Sequence, residues 1–199
     1  MKKILISAAT GAAVGILTVA GQKYLPMNLN FLANSGAVWL IPAFLLSFFL
    51  KSAWKSSILT AICCLLGCVY GYYGFESLLN QHAFALTRGV LVWSVMALLA
   101  GCVFGLGAYW ANAKTGWRKY CGMNLLPAVF AAEGCDQLLH LADYSHMIPA
   151  VILQIVIGIA LYAVINGKNA LRAKPLAAFA GLTAAGVLGF TVLSSGVLI

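Results

Sequence analysis

Seven stretches of this chain, 4–21, 34–50, 58–78, 84–110, 123–141, 148–165 and 176–198, are each apolar over nearly the length that a membrane-crossing helix needs. A hydrocarbon core about 30 Å thick takes about 20 residues at about 1.5 Å of rise each. None of the stretches shows the strict alternation that a membrane β-barrel strand requires, so the backbone must satisfy its hydrogen bonds as helix. A soluble domain of 199 residues has too little interior for a chain that is 63% apolar, and the excess must face lipid. These features predict an all-α, polytopic transmembrane helical bundle of about seven helices, forming a single integral membrane domain over 1–199.

The breaks between the runs carry most of the charge, and they alternate. Lys2 and Lys3, Lys51 and Lys55, the group Lys114, Arg118 and Lys119, and the group Lys168, Arg172 and Lys174 all fall on one side. The opposite side has only Lys23 and Arg88, together with Glu76, Asp143, His82, His140 and His146. Basic residues are retained in cytoplasmic loops, so the N-terminus lies inside and the C-terminus outside. A net charge of +8 is therefore a topology signal, and nucleic acid is not an expected partner. The lipid bilayer is.

Lys2-Lys3, the apolar run after it and Thr18-Val19-Ala20 also have the layout of a secretory signal peptide. Against cleavage stands the Gly11-x-x-x-Gly15 face, which suits packing against another membrane helix. Gly67-Cys68-Val69-Tyr70-Gly71 in the third run is nearly repeated as Gly101-Cys102-Val103-Phe104-Gly105 in the fourth, and these two glycine faces are expected to meet. Val38-Trp39 with Ala43 and Val92-Trp93 with Ala97 share a second pattern, in two spans that run in the same direction. The six cysteines lie within or beside apolar runs and imply no disulfide framework.

The fifth run holds the residues most expensive to place in lipid. Glu133 falls about 15 Å from Met123 by helical rise, near the bilayer midplane. Asp136, Gln137 and His140 follow at offsets of three, four and seven, which share a face. Carboxyl groups at that depth need a cavity, a proton or a polar partner. Candidate partners at similar depth are Gln154 in the sixth run, Tyr70, Tyr72 and Tyr73 in the outer half of the third, Arg88 at the start of the fourth, and Asn34, a candidate cap, with Ser35 at the start of the second. Glu133, Asp136, Gln137, His140, Gln154, Tyr73, Arg88 and Asn34 thus form the candidate ligand-binding set. The bland alternative is that the acids fix the bundle and the tyrosines anchor at the interface.

Metalloprotease, serine-hydrolase and nucleotide-binding signatures are absent. Cys64 with Cys68, and Asp136 with His140, are single-turn pairs without a clear third ligand, so no metal and no cofactor is expected.

The residues Asn34-Ser35-Gly36-Ala37-Val38-Trp39, Gly71-Tyr72-Tyr73, Gly101 to Gly107 and Glu133-Gly134 resemble a family of small multi-pass bacterial membrane proteins of unknown function. That resemblance implies a bacterial cytoplasmic membrane and supplies no activity. Ala8-x-x-x-Ala12 and Ala9-x-x-x-Ala13 are similar to the docking motif of the substrate-binding subunits of energy-coupling-factor transporters, which implies external ligand capture. Seven spans and an external C-terminus depart from that pattern.

The leading expectation is small-solute binding or transport through an outward-facing polar pocket, with a cationic or polar solute favoured by the two acids. A structural or accessory subunit, paired with a partner membrane subunit through glycine faces, is the second class. An intramembrane enzyme using Glu133, Asp136 and His140 is the third. The orientation is directly measurable: alkaline phosphatase fused after His82 should be active and a fluorescent-protein fusion after Lys114 should fluoresce, and the reverse pattern would overturn the assignment.

Overall fold

The computed structural model describes residues 2–26, 30, 33, 35–50, 53–144 and 147–194, so Asn34, Lys51, His146 and the end of the seventh run lie outside the described residues. Seven long helices are formed: α1 (Lys2–Tyr24), α2 (Gly36–Phe49), α3 (Trp54–Leu79), α4 (Arg88–Ala111), α5 (Trp117–Leu139), α6 (Ile148–Asn166) and α7 (Ala173–Ser194). A single turn, Leu141–Tyr144, precedes α6 and a 3-10 turn, Gly167–Asn169, follows it. Each expected apolar run has its helix, and no strand occurs among the described residues. α1, α3, α4, α6 and α7 are long and apolar enough to cross a membrane.

Two helices fall short of that standard, for different reasons. α2 has 14 residues, about 21 Å by helical rise, and carries Pro42 within it. Its N-cap position is Ser35. α5 has the length but carries Arg118, Lys119, Asn124, Glu133 and Asp136 along its course. It begins at Trp117, six residues before the apolar run, because backbone hydrogen bonding extends through the basic turn that an apolar count leaves out. Gly116 sets that start in a left-handed conformation, φ 94°, which an L side chain rarely adopts.

The chain divides into two compact units, Met1–Tyr109 and Trp110–Ile199. In the first, α1 and α3 lie side by side with rising register, Gly11 against Cys64 and Gly15 against Cys68 and Tyr72. They are therefore parallel, as two spans separated by one crossing must be. The approach is reciprocal. A Cβ added to Gly11 would lie 1.9 Å from the Cys64 carbonyl oxygen, and one added to Gly67 would lie 2.4 Å from that of Ala8. Gly15 and Gly71 repeat the arrangement one turn further along, against Cys68 and Ala12. Lipid gives no hydrophobic drive to helix association, so such backbone-to-backbone contact is what holds the pair. Cys64 and Cys68 are buried in this seam.

The glycine stripe of α3 is thus taken by α1 and does not meet that of α4, contrary to the expectation from the repeated sequence. Gly101 and Gly105 of α4 rest instead on Ile62 and Ile58 of α3, and the Ser57 hydroxyl donates to the Gly105 carbonyl at 2.8 Å. A lane of small residues specifies close approach without specifying which neighbour fills it. At the same end the Ser47 hydroxyl of α2 donates to the Ser57 carbonyl at 3.0 Å, and Lys3 Nζ donates to the Leu50 carbonyl at 3.1 Å. The start of α1, the end of α2, the start of α3 and the end of α4 are gathered at one end, the one that the lysines assign to the cytoplasm.

In the second unit α5 packs against α6 and α7. Gly158 of α6 meets Pro127 and Ala131, Gly134 of α5 meets Val151 and Ile155, and Gly186 of α7 meets Ala132. The falling register makes α6 antiparallel to α5. Residues 124–134 of α5 form an unbroken buried run, which is how its polar side chains are kept from lipid. By contrast only 6% of the apolar window of α7 is buried, so most of that helix is left to face hydrocarbon.

Replacing Gly11 by Leu should lower the stability of the detergent-solubilised protein by about 3 kcal/mol or more, since the obstruction is backbone and cannot turn aside. Gly74→Ala, with nothing within 4 Å of the new Cβ, should leave the melting temperature nearly unchanged. Equal effects would show that the seam does not carry the first unit.

Candidate functional site

The end of α1, the start of α2, the end of α3 and the start of α4 carry the polar and aromatic side chains that line the cavity of the first unit. Thr18 and Gln22 fall on the last turns of α1, Trp39 on the first turn of α2, Tyr72 and Tyr73 on the last third of α3, and Trp93 in the second turn of α4. Together with Ala33, Ser35 and Gly36 they line a partly enclosed cavity of about 170 Å³. That is the room of five or six waters at about 30 Å³ each, enough for a small organic solute.

A hydrogen-bond chain sets the walls. Trp39 Nε1 donates to Thr18 Oγ1 at 2.9 Å, and the Thr18 hydroxyl donates back to the Val14 carbonyl at 2.9 Å. The Tyr72 hydroxyl donates to Gln22 Oε1 at 2.9 Å, while Gln22 Nε2 donates to the Ala33 carbonyl at 3.3 Å. Asn30 Nδ2 donates to the Gln22 carbonyl at 3.2 Å, tying the α1–α2 connection to α1. Trp39 stands 6.0 Å from Tyr72 and 6.3 Å from Trp93 between ring centroids, at tilts of 56° and 54°. Tyr73 meets Tyr72 edge-on at 5.0 Å. A side chain at Gly89 would press on the Tyr73 hydroxyl, its Cβ only 2.9 Å away, so the glycine gives Tyr73 its room. Glu76, one turn beyond, lies within electrostatic reach of both Tyr72 and Tyr73.

The candidate residues expected from sequence divide between the two units. Tyr73 lines the cavity of the first unit, Arg88 is exposed at the first residue of α4, and Asn34 lies outside the described residues. Glu133, Asp136, Gln137, His140 and Gln154 belong to the second. Glu133 and Asp136 are buried, at 6% and 5% exposure, and Gln137 and His140 are half-buried. Asp136 Oδ1 accepts from the Thr191 hydroxyl of α7 at 2.8 Å. His140 Nδ1 is 2.9 Å from the Asp136 carbonyl oxygen and 3.6 Å from Oδ1. Glu133 is likewise not without a partner. Gln154 is fully buried on the stripe of α6 that carries Val151 and Gly158, near the level of Gly134, and its Oε1 has no hydrogen-bond partner among the described residues. Deeper in the unit, Asn166 donates to Asn124 Oδ1 at 2.8 Å and to the Tyr162 carbonyl at 2.9 Å. Among the described residues no three His, Cys, Asp or Glu side chains gather as a metal site would need.

Sequence reasoning weighted the acids and passed over Thr18, Gln22, Trp39 and Trp93 as site residues. The signal was present in the paired Val-Trp patterns: Trp39 and Trp93 both line the cavity and meet each other as a tilted ring pair. Ser35, Gly36 and Trp39, quoted above within one six-residue segment, all line it, as do Tyr72 and Tyr73.

An all-helical bundle with five membrane-length apolar helices is the architecture of a multi-pass integral membrane protein. Its sequence matches a family model over residues 1–196, and the chain belongs to that family, a family of unknown function (DUF6518). No curated protein matches the chain, and no solved structure matches it either.

The Asp136–Thr191 bond predicts that Thr191→Val costs about 1 kcal/mol of stability, the usual scale for a side-chain hydrogen bond between membrane helices. Thermal unfolding of the purified variant measures it; a gain in stability would show that Asp136 is not anchored by α7.

Proposed function

We propose that this protein binds a small solute in the aromatic cavity at the outer end of its first unit, as a solute-binding or transport protein of the bacterial cytoplasmic membrane. The observation that carries the reading is the cavity of about 170 Å³ between Trp39, Trp93, Tyr72 and Tyr73, held open by the Trp39–Thr18 and Tyr72–Gln22 hydrogen bonds. Preformed concave sites with rigid rings and a few placed polar groups are where small ligands bind. The charge asymmetry of the sequence puts this end on the external side, which suits capture from outside.

Glu133, Asp136, Gln137, His140 and Gln154 have a different role in this reading. Asp136 Oδ1 accepts from Thr191 and His140 folds back on Asp136, so this polar face ties α5 to α7, while Asn124 ties it to α6. An accessory-subunit role draws its support from the same packing of the acids, and it predicts that a stoichiometric partner copurifies in mild detergent.

Tryptophan fluorescence tests the proposal. Titration of the detergent-purified protein with a panel of amines, amino acids, sugars and nucleosides should give a saturable change for at least one compound. Trp93→Phe should weaken that binding several-fold, while Asp136→Asn should leave it unaltered. Loss of binding in Asp136→Asn with retention in Trp93→Phe would move the site to α5 and sink the reading.

A further inference from the structure

The cavity also constrains the chemistry of its occupant, and the following rests on its being a binding site. Most of its polar wall atoms are already committed. The indole N–H of Trp39 is taken by Thr18, the hydroxyl of Thr18 by Val14, the hydroxyl of Tyr72 by Gln22, and the side-chain amide of Gln22 by Tyr72 and Ala33. A sugar or nucleoside would bring many hydrogen-bonding groups to a wall with few free, and each group left unmet on burial costs free energy. What the wall offers instead is ring surface.

Four rings from three helices line this small volume, Trp39, Tyr72, Tyr73 and Trp93, and ring faces attract cations through their quadrupoles, indole most strongly. Among the described residues no basic side chain lines the cavity. Of the two external basic residues, Lys23 is exposed with its ammonium 5.7 Å from the Tyr24 ring, and Arg88 is exposed at the end of α4. Glu76 stands half-buried one turn beyond Tyr72 on the same helix, outside the lining itself. The site therefore combines four aromatic rings, a carboxylate one turn away on α3 and few free hydrogen-bonding groups.

We infer that the ligand of this cavity is a small organic cation of the methylated-ammonium class, held by the faces of Trp39, Trp93 and Tyr72 with Glu76 as counter-charge. Such a cation needs no directional hydrogen bonds, and its methyl groups suit ring surfaces. Its headgroup is small enough for about 170 Å³. The inference commits to charge as well as shape, and this makes it separable from solute binding in general.

The decisive comparison is choline against 3,3-dimethyl-1-butanol, which has the same shape with carbon in place of the charged nitrogen. Calorimetric and fluorescence titration of the full-length protein in detergent should show choline binding at least about tenfold more tightly than the neutral isostere. Glu76→Gln should reduce choline affinity about threefold and leave the isostere's affinity unchanged. Trp93→Leu should remove most of the discrimination; this ring is 38% exposed, so its loss leaves the α1–α3 seam intact. Equal binding of choline and the isostere would overturn the cation assignment while leaving solute binding standing. So would saturable binding of a sugar, amino acid or nucleoside with no response to choline or tetramethylammonium. A protein that is folded by thermal unfolding and binds nothing in the panel would overturn both.

Discussion

The contact of α1 with α3 is the constraint on which the first unit rests. Two helices with glycine or alanine at every fourth position can bring their backbones together, and in lipid this is one of the few ways to gain contact energy, because hydrocarbon competes equally for any larger apolar side chain. The reciprocal pattern, Gly11 and Gly15 into α3 and Gly67 and Gly71 into α1, leaves no slack for rotation or sliding. Rotation by one residue would replace glycine with Ala12 or Cys68 at the point of closest approach. The register so fixed places Gln22 opposite Tyr72 and thereby builds one wall of the cavity. The Ala8–Ala12 stripe is spent in the same seam.

The second unit follows a different logic. α5 is the helix least suited to lipid, and its buried run is the consequence. The Asn124–Asn166 and Asp136–Thr191 bonds bind it to α6 and α7, while Gly134, Gly158 and Gly186 allow those helices to come close. A helix carrying two acids, an asparagine and a proline is stable in a membrane only as the inner member of a group.

The two polar regions differ in what they leave available. In the first unit hydrogen bonds and ring contacts join Trp39, Tyr72, Tyr73 and Trp93 into one wall of a cavity. In the second unit the Asp136–Thr191 and Asn124–Asn166 bonds join helix to helix, and those polar atoms are taken up by structure. A buried carboxylate is a strong reason to look for function, but its partners determine whether it is a tool or a fastening.

The sequence by itself determined the class of the protein and the number of helices, because helix length and hydrophobicity are local properties that the bilayer reads directly. It also marked, through Val-Trp-x-x-x-Ala in two spans and Gly-Tyr-Tyr in a third, residues that line the cavity. Only the tertiary structure decided that Gly67 and Gly71 face α1 and not α4, that Asp136 is tied to Thr191, and that Thr18, Gln22, Trp39 and Trp93 enclose a space. Those are choices among neighbours, and small residues, hydroxyls and indoles are compatible with many neighbours until the packing of the whole unit selects one.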